Sequence, residues 1–561
     1  MCGIAGIINK KSDASSMIQK ITHRGPDHHQ TINLKNASLA FSRLSIIDLS
    51  ERSNQPLYDA QNQVYILFNG EIYNYLELKQ ELSRDFEFTT SSDTEVFLKS
   101  YIKWGTDCFN KVNGMFAVCF YHADTEKTIL ARDRFGQKPL FYTQANEEFY
   151  FASEIKALPN DSQPNRETWL KYLSSAVYDD DENTFFKNIY QVEPSSYIVL
   201  QNSKISKHKY YNISNIQRDY SISYQDAKDN LFNLIQDAIK IHTRSDVPYC
   251  LSLSSGFDSS AILASLSDQN LSKEKLNCFT LDFNETLSES IFAKEFSKNW
   301  DFKHSVHTIL QNDALSMLSS SIYYQESPLG GLLNLGQHYN FQEIHKKGFK
   351  VALDGAGVDE VFCGYNTLLQ KFENKQHNNF KTQIDGTYSS NADLVTEQWT
   401  SDKKENLSLL ETQIQYLKTL KLNRGLRMKD RYSMNHSVEL RVPFIDHRLV
   451  EFGLSLNPSY YFKNGTTKYV IRDAMSKIMP HETCFAKKKS INAPQTKWLQ
   501  KDPWLSFTKQ LINSPSFNDR GLLNADKVKL AHENFDKKDI KNSFYVWQWI
   551  NMEMWHRIFI D

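Results

Sequence analysis

Long apolar runs are missing from this chain. Across 561 residues no uninterrupted apolar stretch approaches the length needed to cross a bilayer. The opening Met1-Cys2-Gly3-Ile4-Ala5-Gly6-Ile7-Ile8 is apolar, but it is too short for a secretory leader and carries no basic residues ahead of it. A membrane-bound or exported protein is disfavoured, and the cytoplasm is the expected location. A surplus of either charge is missing too. The 65 Lys and Arg balance 66 Asp and Glu for a net charge of -1, so no broad field recruits nucleic acid or an anionic membrane. Paired cysteines are also absent. The seven cysteines are widely spaced and none forms a CxxC, which disfavours a structural zinc site and a disulfide framework and fits reduced thiols. Internal repeats and true low-complexity tracts are lacking.

What the chain has is length and pattern. Its 561 residues suggest two to four domains, and 40% hydrophobic with 23% charged residues is the balance of a globular protein. The first 200 residues read as β-rich. Val64–Phe68 is a short apolar strand ending at Asn69-Gly70, a turn signal. Met115–Tyr121, Thr128–Ala131 and the aromatic Phe149–Ala152 are further strands, and Thr94–Trp104 has helical spacing. Lys204–Asp219 is polar and aperiodic. A boundary near residues 200–222 is expected there, with one domain over 1–205 and a second over 222–561. Beyond it, Tyr224–Thr243 reads as an amphipathic helix with Ala227, Leu231, Leu234, Ile235 and Ile239 on one side. Tyr249–Leu253, Asn277–Phe283 and Phe349–Leu353 are short apolar strands. Strands alternating with helices predict a parallel α/β sheet. Residues 370–405, rich in Asn, Gln, Lys, Ser and Thr, read as an insertion or mobile loop. The last segment reads as mostly helical, with Trp547, Trp549 and Trp555 in the core.

Cys2 follows only Met1 and precedes a small residue, Gly3. Loss of the initiator methionine would leave Cys2 with both a thiol and a free α-amine. The amine's reference pKa of roughly 8 suits it as general base for the thiol. Taken alone, Cys2 reads better as an ordinary buried thiol. The motifs that follow reverse that weighting: His23-Arg24-Gly25-Pro26-Asp27, Arg43-Leu44-Ser45-Ile46-Ile47-Asp48, Phe68-Asn69-Gly70-Glu71-Ile72-Tyr73-Asn74, Ser92-Asp93-Thr94-Glu95 and Ala131–Leu140. In this order they resemble the class II glutamine amidotransferases, and among them the asparagine synthetase family. The resemblance implies Cys2 as nucleophile, with Asn69 (side-chain amide) and Gly70 (backbone N–H) as the oxyanion-hole pair. It also implies a glutamine site of Arg43, Ile47, Asn69, Gly70, Glu71 and Asp93. A guanidinium fork such as that of Arg43 suits a carboxylate. Asp93 reads independently as the N-cap of the helix over Thr94–Trp104, and His23 and Arg24 as architectural.

Leu253-Ser254-Ser255-Gly256-Phe257-Asp258-Ser259-Ser260 falls between a strand and a helix, where small residues and a helix start favour phosphate. No GxxxxGK[ST] is present. The segment resembles the pyrophosphate loop of ATP pyrophosphatases, with Ser255 in place of the usual first glycine. Asp354-Gly355-Ala356-Gly357-Val358-Asp359 resembles the family's second nucleotide segment. By resemblance, Leu253, Ser254, Ser255, Gly256, Asp258, Ser259, Ser260, Leu281, Asp354, Gly355 and Lys468 face ATP, and Asp258 and Asp359 hold Mg²⁺. Lys468 reads otherwise as part of a solvated helix face; Arg441, in Glu439-Leu440-Arg441-Val442-Pro443-Phe444, also matches the family and reads otherwise as structural. The implied fold is an N-terminal αββα Ntn-hydrolase sandwich with a C-terminal parallel α/β ATP-pyrophosphatase-like domain that ends in helices. The implied reaction is a carbon–nitrogen ligation, in which ammonia from glutamine attacks an acyl adenylate. A homodimer is the implied assembly, without nucleic-acid or membrane partners.

The resemblance breaks at one position. The family carries an acidic residue where this chain has Ala356, and a methyl group cannot handle protons. Two readings follow. Aspartate is the acceptor and Glu326, Glu439 or water replaces the missing acid. Alternatively the acceptor is another carboxylate, such as a sugar uronic acid, admitted by a larger and less negative site. A third reading keeps the glutaminase and makes the second half a degenerate regulatory or binding module. Retention of Asp258, Asp359 and Lys468 weighs against it.

Overall fold

The computed structural model describes residues 2–159, 163–271, 276–284, 291, 293, 300, 302–373, 391–397, 399, 407–486, 493–536 and 542–561. Most of the expected insertion over 370–405 lies outside them. Among the described residues, no helix is long and apolar enough to cross a membrane.

Two antiparallel six-stranded sheets occupy the first 209 residues. One runs, in spatial order, 190–191, 141–145, 148–152, 3–8, 37–43 and 28–33. The other runs 204–209, 196–201, 128–132, 114–122, 64–72 and 57–59. Their inner faces share a core in which Ile4, Ile8, Leu39 and Phe41 meet Leu67, Cys119, Leu130 and Leu200. Ala5 and Ile7 point out of the other face of the same strand, toward Met17, Ile18 and Ile21. This period-two split buries Gly3–Ile8 on both sides and explains its apolar sequence. The outer face of the second sheet packs Ile66, Phe68 and Phe116 against Leu78, Val96 and Phe97 of the helices Tyr75–Leu82 and Asp93–Trp104. The result is the expected αββα sandwich.

Three local expectations change. The strand Val64–Ile72 continues through Asn69-Gly70, so this pair is not a turn. Gly70 is required there by crowding, because an added Cβ would collide with the Met115 carbonyl on the neighbouring strand. Ser92, not Asp93, caps the following helix, its hydroxyl oxygen accepting the Thr94 N–H at 3.0 Å. Lys204–Lys209 is an exposed edge strand of the second sheet, and residue 205 falls inside it. Its polarity reflects an edge rather than a linker.

The second half is built on a parallel five-stranded sheet, ordered 303–308, 277–282, 249–252, 351–353, 439–441. Later strands add on opposite sides of 249–252, so the order reverses between it and 351–353. The crevice at such a switch point is where open α/β sheets bind ligands. The loops after these two strands, 254–259 and 354–359, therefore emerge side by side. Helices complete this half, and Trp547, Trp549 and Trp555 are fully buried in it.

A buried ionic seam joins the halves. Arg24 contacts Glu154 at 2.8 Å and Asp430 at 3.0 Å, and Lys138 reaches Asp430 at 3.3 Å. Arg431 meets Glu154 at 3.0 Å and Glu326 at 2.6 Å, and Lys156 lies 3.1 Å from Glu326. Burial alone would raise the Glu154 carboxyl, but Lys156, His23 and Arg431 hold it well below the usual range. Breaking a buried pair on one side leaves the other charge bare, at a cost of about 3–5 kcal/mol. Asp430→Ala is expected to lose stability of that order in urea unfolding, since Arg24 and Lys138 then face each other without their shared carboxylate. A loss near that of an exposed surface substitution would rule out the seam as a major support.

Candidate active sites

Cys2 sits at the start of the central strand Gly3–Ile8 and is 8% exposed. A pocket opens beside it, lined also by Arg43, Ile47, Gly70, Glu71 and Asp93. The structure thus gathers five of the six expected glutamine-site residues around the thiol. The sixth, Asn69, is fully buried and touches Cys2 directly. Its Oδ1 accepts the Cys2 backbone N–H at 3.1 Å, and its Nδ2 has no hydrogen-bond partner among the described residues. A buried, unpaired amide donor costs free energy unless something accepts from it. It belongs to the same amide whose oxygen holds the Cys2 N–H.

Arg43 spends three of its five N–H groups on a loop: Nη1 donates to Ser50 O at 2.7 Å and Asn54 Oδ1 at 2.8 Å, and Nη2 donates to Asp48 O. The loop sets the fork's orientation and leaves two donors over. Asp93 is the first residue of its helix, and its Oδ2 accepts the Ile72 N–H at 3.0 Å. Burial, with Glu439 adding repulsion, pushes Asp93 up to about 6 despite that bond. Glu71 is also raised: burial leads, Arg441 opposes, and Asp93 and Glu439 reinforce. Its Oε2 lies 3.1 Å from Arg441 Nη2, and its Oε1 has no hydrogen-bond partner among the described residues. Burial likewise raises the Cys2 thiol, opposed by a hydrogen bond from the Leu44 backbone and by Arg43.

Among the pocket residues, Gln55 escaped the sequence, and Glu439 was expected in another role. Gln55 braces the wall, accepting from Phe68 N–H at 2.6 Å and donating to Thr94 Oγ1 at 3.2 Å. Glu439 also lines the pocket, although it belongs to the parallel sheet of the second half. Arg441 Nε lies 2.5 Å from Glu439, and against the pull of burial the charge of the chain's amino terminus, then Arg441 and Lys138, hold that carboxyl at about 2. No pattern in the chain announces that a residue 370 positions beyond Asn69 supplies a wall of this pocket.

At the sheet crevice, Ser254–Ser259 folds on its own hydroxyls. Ser259 Oγ accepts the Ser254 N–H at 3.0 Å, and Ser254 Oγ accepts the Gly256 N–H at 3.2 Å. Ser255 avoids a left-handed backbone, which removes the objection to serine there. Its hydroxyl is buried and without a partner among the described residues. Leu253 and Leu281 are buried at adjoining strand ends, and Ser260 is buried in the helix Phe257–Asp268. Asp354 Oδ1 accepts from its own loop, at Ala356 N–H (2.9 Å), and from Lys429 Nζ at 2.5 Å. Gly355 and Ala356 follow it directly.

Lys468 is not a solvated helix residue. It is 3% exposed and held at φ 56°, and its ammonium lies 2.7 Å from Asp258 and 2.6 Å from Asp359. Burial would lower Lys468, but the two carboxylates raise it. Gly364 closes the cradle, since a Cβ there would collide with Asp359 Oδ1 and Lys468 Cε. Two carboxylates converging on one cation suit Mg²⁺, which takes few protein oxygens and keeps waters. Among the described residues, no group of three or more His, Cys, Asp or Glu could hold a metal. Glu326 and Glu439 are not part of this crevice. Glu326 accepts from Ile155 N–H, Lys156 N–H and Arg431 in the seam, and Glu439 faces the Cys2 pocket.

Comparison with known proteins agrees with this division. Residues 1–211 match the glutamine amidotransferase domain, and residues 230–557 match asparagine synthase. The chain belongs to the asparagine synthase family. Within it the protein is a glutamine-dependent amidotransferase of the ligase class. It is 29% identical to asparagine synthetase [glutamine-hydrolyzing] 1 of Bacillus subtilis, over all of this chain and 97% of that one. It is 32% identical to putative asparagine synthetase [glutamine-hydrolyzing] 2 of Methanocaldococcus jannaschii, over 66% of this chain and 77% of that one. It is also 26% identical to the amidase chyE of Penicillium rubens, over 96% of each. A solved glutamine phosphoribosylpyrophosphate amidotransferase of B. subtilis aligns over 55% of this chain and 81% of that one, at 15% identity and a TM-score of 0.31, a likeness too slight to carry any conclusion.

Lys468 is expected to support its two carboxylates like the seam cations. Lys468→Met should lose about 3–5 kcal/mol, and millimolar Mg²⁺ should raise its thermal midpoint more than that of the unaltered protein. Equal responses of the two proteins to Mg²⁺ would argue against a shared cation position.

Proposed function

We propose that the protein hydrolyses glutamine at Cys2 and uses ATP to pass the ammonia to a carboxylate, in the cytoplasm, with the domain boundary between residues 205 and 222. The observation that carries this reading is the unpaired Asn69 Nδ2 beside Cys2. Once Met1 is removed, the Cys2 α-amine sits against Asn69 Oδ1 and takes the thiol proton. The sulfur attacks the glutamine side-chain carbonyl, and the oxyanion accepts from Asn69 Nδ2 and the Gly70 N–H. Collapse expels ammonia, which leaves with the proton, and water hydrolyses the thioester to glutamate. The two free donors of Arg43 take the glutamine α-carboxylate, and Asp93 and Glu71 take its α-ammonium. Ile47 packs against the aliphatic stem.

In the crevice, Leu253 and Leu281 flank adenosine, and Ser254, Ser255, Gly256, Asp258, Ser259, Ser260, Asp354, Gly355 and Lys468 bind the nucleotide. Asp258 and Asp359 would hold Mg²⁺, which neutralises phosphate charge when bound. The acceptor carboxylate attacks the α-phosphorus and pyrophosphate leaves. Ammonia then attacks the acyl carbon, AMP leaves, and the amide nitrogen loses a proton to water. The acceptor is a carboxylate other than aspartate, for which a sugar uronic acid is a candidate. Ala356 removes a negative side chain, no seam or pocket glutamate restores it, and Lys429 brings an ammonium instead. The names of the bacterial relatives favour aspartate as the second reading.

Incubation with glutamine, ATP, Mg²⁺ and a panel of carboxylates, read by mass for new amides, decides between them; conversion of aspartate alone would overturn the first. Cys2→Ala should abolish glutamine-dependent amide formation and keep the ammonia-dependent reaction. Absence of ATP–pyrophosphate exchange with every carboxylate, alongside glutaminase activity, would instead mean a degenerate second half. The glutaminase should also respond to pH. Asp93 loses its charge as pH falls through about 6, so KM for glutamine should rise between pH 7 and pH 5. Asp93→Asn should bind glutamine weakly throughout and lose that dependence. A KM that stays level in the unaltered protein would remove Asp93 from ammonium binding.

A further inference from the structure

We propose that Asp246, just ahead of the first strand of the parallel sheet, is a positioning residue for glutamine binding across the domain seam. The proposal rests on reading the Cys2 pocket as the glutaminase site. Ile46 and Ile47 line that pocket. The next residue, Asp48, has φ 51°, a left-handed conformation that a non-glycine residue keeps only where its surroundings fix it. Its Oδ1 accepts from Ser50 N–H at 3.0 Å and Ser50 Oγ at 2.6 Å, and its Oδ2 accepts from Ser91 N–H at 2.8 Å. Its carbonyl accepts from Arg43 Nη2.

The remaining backbone group, the Asp48 N–H, donates to Asp246 Oδ2 at 2.8 Å. The Asp246 N–H donates back to Ile46 O at 3.0 Å. Asp246 thus clamps the loop at two points, on either side of Ile47. The clamp has a firm base, because Arg244 pairs with Glu77 at 2.6 Å and its carbonyl accepts from Arg441 at 2.5 Å. A loop released at Asp48 shifts the carbonyl that orients Arg43 and moves the Ile46–Ile47 wall with it. Both hydrogen bonds of the clamp run to the loop rather than to Cys2 or the ATP crevice, so its effect falls on glutamine binding rather than on bond breaking.

The test uses the full-length protein, with glutamate release from glutamine as the readout. Asp246→Ala should raise KM for glutamine about three- to tenfold, the worth of one hydrogen bond, with kcat within about twofold. Asp246→Asn keeps an oxygen acceptor and should stay within about twofold of the unaltered protein. Affinity for ATP with Mg²⁺, measured by calorimetry, and the thermal midpoint should be the same in all three. An unchanged KM in Asp246→Ala overturns the proposal. So does equal impairment in both variants, or a joint fall of kcat and midpoint, which marks a general fold defect. Cys2→Ala is run beside them: if it still releases glutamate, the reading of the pocket fails, independently of Asp246.

Discussion

Arg24 gives its Nε–H to the carbonyl of Cys2 at 3.1 Å and its other donors to Glu154 and Asp430, with none of its surface exposed. A guanidinium stripped of water is tolerated only when its donors are matched by charge and geometry. The match here comes from both halves of the chain. Asp430 lies on the helix Leu422–Met434, and its neighbour Lys429 reaches Asp354 beside Ala356. Two consecutive residues of one helix therefore touch Arg24, which holds the Cys2 carbonyl, and Asp354 in the loop of the sheet crevice. If the halves separated, several bare charges would lose their partners at once, so the two sites keep a fixed spacing.

The sequence is most legible where function restricts residue type over a run. The strand–loop–helix around Ser254–Ser259 and the cluster of Cys2, Arg43, Asn69-Gly70 and Asp93 lie where their motifs placed them. It misleads where one residue serves two physical ends. Asn69-Gly70 has turn composition, yet the glycine answers to a crowded neighbouring strand. Lys204–Lys209 has linker composition, yet its polarity belongs to a sheet edge. Glu326 has the chemistry of a base, yet its oxygens are consumed by backbone N–H groups and Arg431. Lys429 and Asp246 carried no signal, and Glu439 was expected as a substitute base rather than as a wall of the Cys2 pocket, because their importance lies in what they meet across hundreds of residues.

Ala356 gains meaning from its surroundings. Asp354 is tied to its own loop and to Lys429, so the crevice beside Ala356 holds an ammonium where the family resemblance leads one to expect a carboxylate. The ammonium and the Asp354 carboxylate neutralise each other, so no unpaired negative side chain is brought to Ala356 by this pair.

The wall that Glu439 lends to the Cys2 pocket bears on how such proteins diverge. A half transplanted from a relative would arrive with its own residue at that position and its own segment beside Ile46–Asp48. Recombination at the boundary would therefore break a site on the side it left untouched. A change in the second half would accordingly have to leave Arg244, Asp246, Glu439 and Arg441 in place, since these residues meet the Cys2 pocket and the loop beside it.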